Sequence, residues 1–174
     1  RQAGIAGAAA PAITVEALQE AAPKKGARPN PHLRSIDMND SFKTPLALVG
    51  RVLLALMFVL SGVGKLGDIA GTAGYIASGG LPMASALAVI VGLLELLGGL
   101  AIVVGFQARW AALALGLFTL AASLLFHRFW AAPADQAFVQ QLLFMKNLSV
   151  AGGMFLVAAL GTGPMSIDAR RAGA

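Results

Sequence analysis

The stretch VGLLELLGGL, residues 91–100, contains one charged side chain, Glu95, among leucines and glycines. It lies inside an apolar segment that runs from about residue 82 to 106. A helix of about 20 apolar residues crosses the hydrocarbon core of a bilayer, so Glu95 would lie near its middle. A carboxylate there costs about 2.5–3.5 kcal/mol on insertion scales. The stretch therefore predicts a membrane helix whose glutamate needs a partner.

The composition agrees with a membrane protein. Of 174 residues, 57% are hydrophobic and 12% are charged, whereas soluble domains carry about 25% charge. The net charge of +5 resides mostly in the N-terminal region and short loops, without interleaved base-stacking aromatics, which indicates membrane topology and argues against nucleic acid as a partner. The absence of cysteine excludes thiolate metal sites and iron–sulfur ligation by this chain.

The apolar segments predict an all-α membrane protein, a bundle of four transmembrane helices in antiparallel hairpins. The predicted spans are 44–66, 82–104, 110–126 and 139–160. The segment GDIAGTAGYIASGGLP between the first two is too short to span, and it predicts a brief interfacial helix over 69–78.

Three regions follow from this pattern: an extended N-terminal tail over 1–43, a membrane domain over 44–168 and a short C-terminal tail over 169–174. The N-terminal tail is rich in alanine, proline and charge, with one short helix predicted over 11–22. It buries too little apolar surface to fold alone, so we expect it to dock on a larger partner protein.

The distribution of lysine and arginine predicts that both termini are cytoplasmic. One side of the predicted bundle would hold the basic tail with Arg109, Arg170 and Arg171, and the other Lys65, Arg128 and Lys146. A cleaved export signal ahead of Arg1 would reverse this orientation.

Arg51 on the first span is predicted to pair with Glu95 on the second, because hairpin neighbours place them within about 5 Å in height. Gly92 and Gly99 flank Glu95 in a small–polar–small stripe that permits close helix approach. The pair either fixes helix register only, or Glu95 binds a proton or contacts a ligand.

A second polar group lies towards the opposite face of the membrane and consists of Lys65, His127, Lys146 and Asn147. Together with Arg51 and Glu95 these residues form a buried polar cluster, a candidate ligand or proton site. The alternative is that the lysines extend to lipid headgroups and that His127 is merely interfacial. With two histidines in the chain and no ligand spacing, we expect this chain alone to bind no haem and no metal.

The sequence resembles the DoxX-like membrane proteins over about residues 47–168, in GRVLLALMFVLSGVGKLGDIAGTAGYIASGGLP, LLELLGGLAIVVGFQARWAALAL, FHRFW and FMKNLSVAGGMFLVAALGTGPMSID. The resemblance implies a multi-pass protein of the bacterial inner membrane. It also implies that the six residues of the cluster are the family's characteristic polar positions, and that some members are linked to quinone-dependent or oxidoreductase assemblies.

We therefore expect an accessory membrane subunit of an oxidoreductase-type assembly, which anchors or stabilises a partner and contacts quinone near the polar cluster. One alternative is a stand-alone quinone-reactive or proton-coupled membrane enzyme, with Glu95 as the proton carrier. A second alternative is a small transporter. Many transporters are built from internal repeats, and the four predicted helices show no obvious inverted repeat, which argues against this alternative.

Overall fold

The computed structural model describes residues 40–173, and every regular element in that range is helical. Four helices are long and apolar enough to cross a membrane, which confirms the predicted all-α bundle. They are α1 (Asp40–Gly67), α3 (Ala84–Val104), α4 (Ala108–Phe126) and α5 (Ala134–Leu160). Three shorter elements are α2 (Ile69–Ser78), a 3₁₀ turn (Phe129–Ala131) and α6 (Ile167–Ala172).

Two of the long helices begin earlier than their apolar segments predict. Helix α1 includes residues 40–43, which the sequence analysis assigned to the tail, so Pro45 lies inside the helix and not in its first turn. Helix α5 includes 134–138, where Asp135 occupies the first turn and suits the positive end of the helix dipole. The rest of the predicted tail, with its short helix, lies outside the described residues.

The short helix predicted over 69–78 is confirmed as α2, and its position at the membrane interface stays a prediction. The carboxylate of Asp68 caps it by accepting a hydrogen bond from the backbone N–H of Gly71 at 2.8 Å. The helix ends at Ser78 and is capped by Gly79, which is followed by Gly80 at φ +78°, a conformation that glycine adopts without steric cost. The ring of Tyr75 stacks on Phe126 of α4 with centroids 4.9 Å apart, which fixes α2 against the long helices.

Helices α1 and α3 pack closely through glycines, as the stripe around Glu95 predicts. A Cβ on Gly62 would lie 2.5 Å from the backbone nitrogen of Leu96. A Cβ on Gly99 would lie 2.8 Å from a methyl of Val59. Small residues let helix backbones approach in this way, and the contact sets the register between the two helices.

The core lies where the long helices cross, and its fully buried members include Phe58, Ile102, Leu115 and Met154, one from each long helix. The outward faces carry large exposed apolar side chains that a bilayer would cover, including Leu53, Leu97, Leu117 and Leu156. The tertiary structure thus requires an apolar environment around it, in agreement with a membrane-embedded protein. Which end of the bundle faces the cytoplasm stays a prediction.

Helix α6 was missed by the sequence analysis, which assigned its residues to the end of the membrane domain and the C-terminal tail. Its start has an N-cap signal, because the hydroxyl of Ser166 accepts from the N–H of Ala169 at 3.1 Å. Asp168 follows in the first turn and Arg170 and Arg171 in the last, the charge order that the helix dipole favours. These signals were readable in the sequence.

Candidate functional site

A cavity of about 410 Å³ lies among α1, α2, α3, α4 and α5. We call it the polar cavity because a mostly apolar wall carries a small set of polar side chains. These are Ser61, Lys65, Thr72, Tyr75, Glu95, Thr119, His127, Lys146 and Asn147. Small-molecule sites commonly have volumes of about 300–1,000 Å³ and combine apolar walls with a few placed polar groups. The polar cavity therefore has the size and lining of a ligand site.

The carboxylate of Glu95 is bound by Lys65. Lys65 Nζ donates to Glu95 Oε2 at 2.6 Å and to the hydroxyl of Ser61, one turn earlier on α1, at 2.5 Å. The Glu95 side chain is 7% exposed and that of Lys65 28% exposed. A charge-assisted bond of this kind offsets the cost of a carboxylate at mid-membrane depth. Lys65 therefore does not extend to the headgroups.

The predicted pair between Arg51 and Glu95 is wrong. Arg51 instead donates from Nη1 to the carbonyl oxygen of Thr162 at 2.9 Å and from Nη2 to that of Met165 at 2.6 Å. The reason is helix register: a Cβ on Gly92 would lie 3.5 Å from Lys65 Cβ, which brings the end of α1 level with the first half of α3. Arg51 is 14 residues before Lys65, about 21 Å along the helix.

Arg51 therefore lies outside the polar cavity, at the end of the bundle where α5 meets α6. It is 5% exposed, and its two backbone partners lie in the segment 161–168 that follows α5. The carboxylate of Asp168, in the same segment, accepts from the N–H groups of Gln107 and Ala108 at 2.9 and 3.0 Å and so caps α4. Of the six residues in the predicted cluster, Arg51 is the one that the structure separates from the others.

His127 ends α4 and lines the polar cavity. Its Nδ1 lies 3.0 Å from Oε1 of Gln140 on α5, so the imidazole ties two long helices together at the cavity rim. Gln140 also lines a neighbouring depression of about 280 Å³ that includes Arg128. Tyr75 and Phe126 line both spaces, and their stacked rings form the wall between them.

Lys146 and Asn147 are adjacent on α5, and both line the polar cavity. Neither side chain makes a hydrogen bond or ion pair with any other described residue. Lys146 is exposed and Asn147 is partly buried. Helix α5 begins at Ala134, so these residues lie more than three turns inside it.

Sequence reasoning missed several polar members of the cavity, including Ser61, Thr72, Tyr75 and Thr119. The spacing of Ser61, four residues before Lys65, was a readable signal because i and i+4 side chains are neighbours on a helix. Tyr75 had none, since its place in the wall depends on how α2 folds back against α4. In residues 40–173, no group of three His, Cys, Asp or Glu side chains is arranged to hold a metal ion.

Comparison with known proteins agrees with this architecture. The DoxX family model matches residues 46–128, and the chain is 42% identical over 121 residues to the inner membrane protein YqjF of Escherichia coli, covering 70% of this chain and 88% of that protein. The chain belongs to the DoxX family. A second relative, the inner membrane protein YphA of Escherichia coli, is 34% identical over 125 residues, covering 72% of this chain and 89% of the relative.

This DoxX-family chain also has a distant eukaryotic relative, the ER-derived vesicles protein ERV29 of Saccharomyces cerevisiae, at 26% identity over 133 residues, 76% of this chain and 36% of that protein. No solved structure matches the chain. The family match contains Lys65, Glu95 and His127 but ends at residue 128, before α5 and therefore before Lys146 and Asn147. The cavity thus combines residues inside the family match with residues beyond it.

Proposed function

We propose that this DoxX-family protein is an accessory membrane subunit of an oxidoreductase-type assembly, and that it binds a quinone-class ligand in the polar cavity. The observation that carries the proposal is the cavity itself. It lies within helices that are long and apolar enough to span a membrane, and its mostly apolar wall presents amine and amide donors from α1 and α5. A lipid-soluble ring with carbonyl oxygens matches both properties.

The residues of the cavity fit such a ligand in distinct ways. The apolar side chains, among them Met57, Phe118 and Leu125, would enclose a ring and exclude water. The amide of Asn147 and the amine of Lys146 would donate to carbonyl oxygens. Glu95 would hold Lys65 in place through the bond between them. A bound quinone would supply the capacity to accept two electrons and two protons.

The proposed accessory role rests on how few side chains in this sequence could hold an electron-transfer centre. The chain has no cysteine and two histidines, which are few candidates for holding an electron-transfer centre. Electrons for a bound quinone would therefore come from a partner subunit. The proposed contact with that partner is the N-terminal tail, whose alanine-, proline- and charge-rich composition provides little apolar surface for a core of its own.

The test has one measurement for the ligand and one for the partner. Decylubiquinone should raise the thermal stability of the purified full chain, and Val91→Trp, which fills the cavity, should abolish that shift. Leu97→Trp on the lipid-facing side of the same helix, where Leu97 is 59% exposed, is the matched control and should keep the quinone-induced shift.

The partner is tested separately. The tagged full-length chain should retain a larger redox subunit from native membranes, and a variant without residues 1–39 should lose that subunit. No quinone shift, or a partner that survives the deletion undiminished, contradicts the corresponding half of the proposal.

A second candidate is a stand-alone quinone-reactive or proton-coupled enzyme. The observation that favours it is the position of Glu95, whose Oε2 binds Lys65 while Oε1 makes no hydrogen bond with another described residue. A carboxylate with one free oxygen beside a cavity is suited to exchange a proton with a ligand. Quinone-linked turnover by the purified chain without a partner would favour this candidate over the accessory subunit.

A further inference from the structure

The charges that face the polar cavity do not balance. Its ionisable side chains are Lys65 from α1, Tyr75 from α2, Glu95 from α3, His127 from α4 and Lys146 from α5. Glu95 and Lys65 neutralise each other through their ion pair, and the His127 ring contacts Gln140 and no acidic side chain. Lys146 remains, so the cavity carries one positive charge without a counter-charge among the described residues.

Lys146 lies too far along α5 to be counted as a residue of the aqueous boundary. Large apolar side chains remain exposed on the N-terminal side of it, with Phe138 68%, Val139 54% and Leu142 54% exposed. Phe138 is eight residues earlier, about 12 Å along the helix. Exposed apolar side chains that a bilayer would cover thus continue about two turns past Lys146, with the exposed Gln141 among them. A lysine among such side chains is costly unless a partner of opposite charge is close.

Asn147 supplies a second unused donor at the same point. Lys146 and Asn147 both line the cavity, although successive residues on a helix point about 100° apart. Their amine and amide groups can converge on one oxygen-bearing group between them. An ionised oxygen accepts stronger hydrogen bonds than a neutral carbonyl, and it would also supply the missing negative charge.

We infer that the ligand of the polar cavity is an apolar molecule with one ionised acidic oxygen group, which is bound by Lys146 and Asn147. This inference rests on the part of the proposed function that makes the polar cavity a ligand site, and it narrows the ligand from neutral molecules to acidic ones. Two sources share the required chemistry: a ring with an acidic hydroxyl, such as a hydroxyquinone, and the carboxylate of a single-chain fatty acid. A cavity of about 410 Å³, at the small end of the range for small-molecule sites, suits either better than a two-chain lipid.

The test uses two matched pairs of probes on the full chain in nanodiscs of neutral lipid. One pair is an alkylated 2-hydroxy-1,4-naphthoquinone and its methyl ether; the other is decanoic acid and its methyl ester. In the pair that matches the natural source, the acid should bind about tenfold or more tightly than its ether or ester, which corresponds to about 1.4 kcal/mol. Lys146→Met should remove this preference because it weakens binding of the acid much more than binding of the neutral probe, and Lys146→Arg should retain the preference. Arg109→Met is the control, because Arg109 lies at the N-terminal end of α4 and does not line the cavity. This variant should behave as wild type.

The outcomes separate the inference from the proposed function. Equal affinity of the acid and its neutral partner in both pairs overturns the inference and leaves quinone binding in place where the two quinones bind. Preference for decanoic acid, with neither quinone bound, supports the acidic ligand and contradicts the quinone. Binding of no probe overturns both. Because Lys146 makes no bond within the described chain, Lys146→Met should also leave the thermal stability of the ligand-free protein undiminished, and a clear loss would overturn the inference by revealing a partner in the protein.

Discussion

Two regions of this bundle place basic side chains inside membrane helices, and they use them differently. At one end, Arg51 donates to two backbone carbonyls of the segment 161–168, where Asp168 also caps α4. In the polar cavity, Lys65 binds Glu95, while Lys146 and Asn147 bind no other described residue. The first region directs two guanidinium nitrogens to backbone carbonyls of the same chain, and the second leaves the amine of Lys146 and the amide of Asn147 facing a cavity.

This difference separates structural from functional polarity. A buried polar group that is bonded within the chain, as Arg51 is through Nη1 and Nη2, stabilises one packing arrangement, although Arg51 Nε is buried without a partner among the described residues. A polar group in a membrane helix that lacks a partner is a candidate site for a ligand, ion or proton. The residue type alone does not discriminate between the two, because Arg51 and Lys146 are both basic residues on long helices. The discriminating feature is what each side chain touches.

The largest expected effect concerns the ion pair of the cavity. Glu95→Leu or Lys65→Leu alone leaves a charge unpaired in an apolar environment and should cost about 3–5 kcal/mol of stability, whereas the double variant should recover much of the loss. Thermal unfolding in detergent measures all three. The control is Arg51→Leu combined with Glu95→Leu, whose losses should add. If the Arg51→Leu/Glu95→Leu double variant instead recovered stability, Arg51 and Glu95 would be coupled, in contradiction to the structure.

Arg51 should show an intermediate effect that is confined to stability. Arg51→Leu removes two hydrogen bonds, each contributing about 1.5–3 kcal/mol, and also removes a buried guanidinium whose Nε has no partner among the described residues. Because the second change offsets part of the first, we expect a net loss of about 1.5–3 kcal/mol. Arg51→Lys should recover little, because an ammonium lacks the planar fork that reaches two acceptors. Decylubiquinone binding at a temperature where the variant is folded should match wild type. Loss of binding without loss of stability would place Arg51 in the ligand site and break the contrast between the regions.

The smallest effect is expected at the cap of α4. Asp168→Ala removes the acceptor for the N–H groups of Gln107 and Ala108 and should cost about 0.5–2 kcal/mol, the usual range for a helix N-cap. Asp135→Ala in the first turn of α5 is the matched control and should lose only a helix-dipole contribution of about 0.3–1 kcal/mol. Thermal unfolding curves of the two variants compare them directly. A loss at Asp168 no greater than at Asp135 would show that the segment 161–168 does not depend on this cap.

Much of the fold was predictable because it depends on local patterns. The length and hydropathy of each segment predicted four spans, and the short glycine-rich segment before Pro82 predicted α2. The early starts of α1 and α5 were missed because polar first turns resemble loops in composition. For the candidate site, the sequence identified Lys65, Glu95, His127, Lys146 and Asn147 as unusual polar residues, and the structure places all five around one cavity. Their role as a functional site stays a prediction.

The sequence by itself therefore determined which residues are polar inside an apolar bundle and on which helix each lies, since hydropathy and helical periodicity are properties of single segments. Tertiary structure alone decided the partners. Glu95 binds Lys65 because the close contact at Gly62 and Gly99 sets the register of α1 against α3, and register depends on two surfaces at once. Arg51 binds carbonyl oxygens, which every residue carries, so no sequence pattern could single out Thr162 and Met165 as its partners.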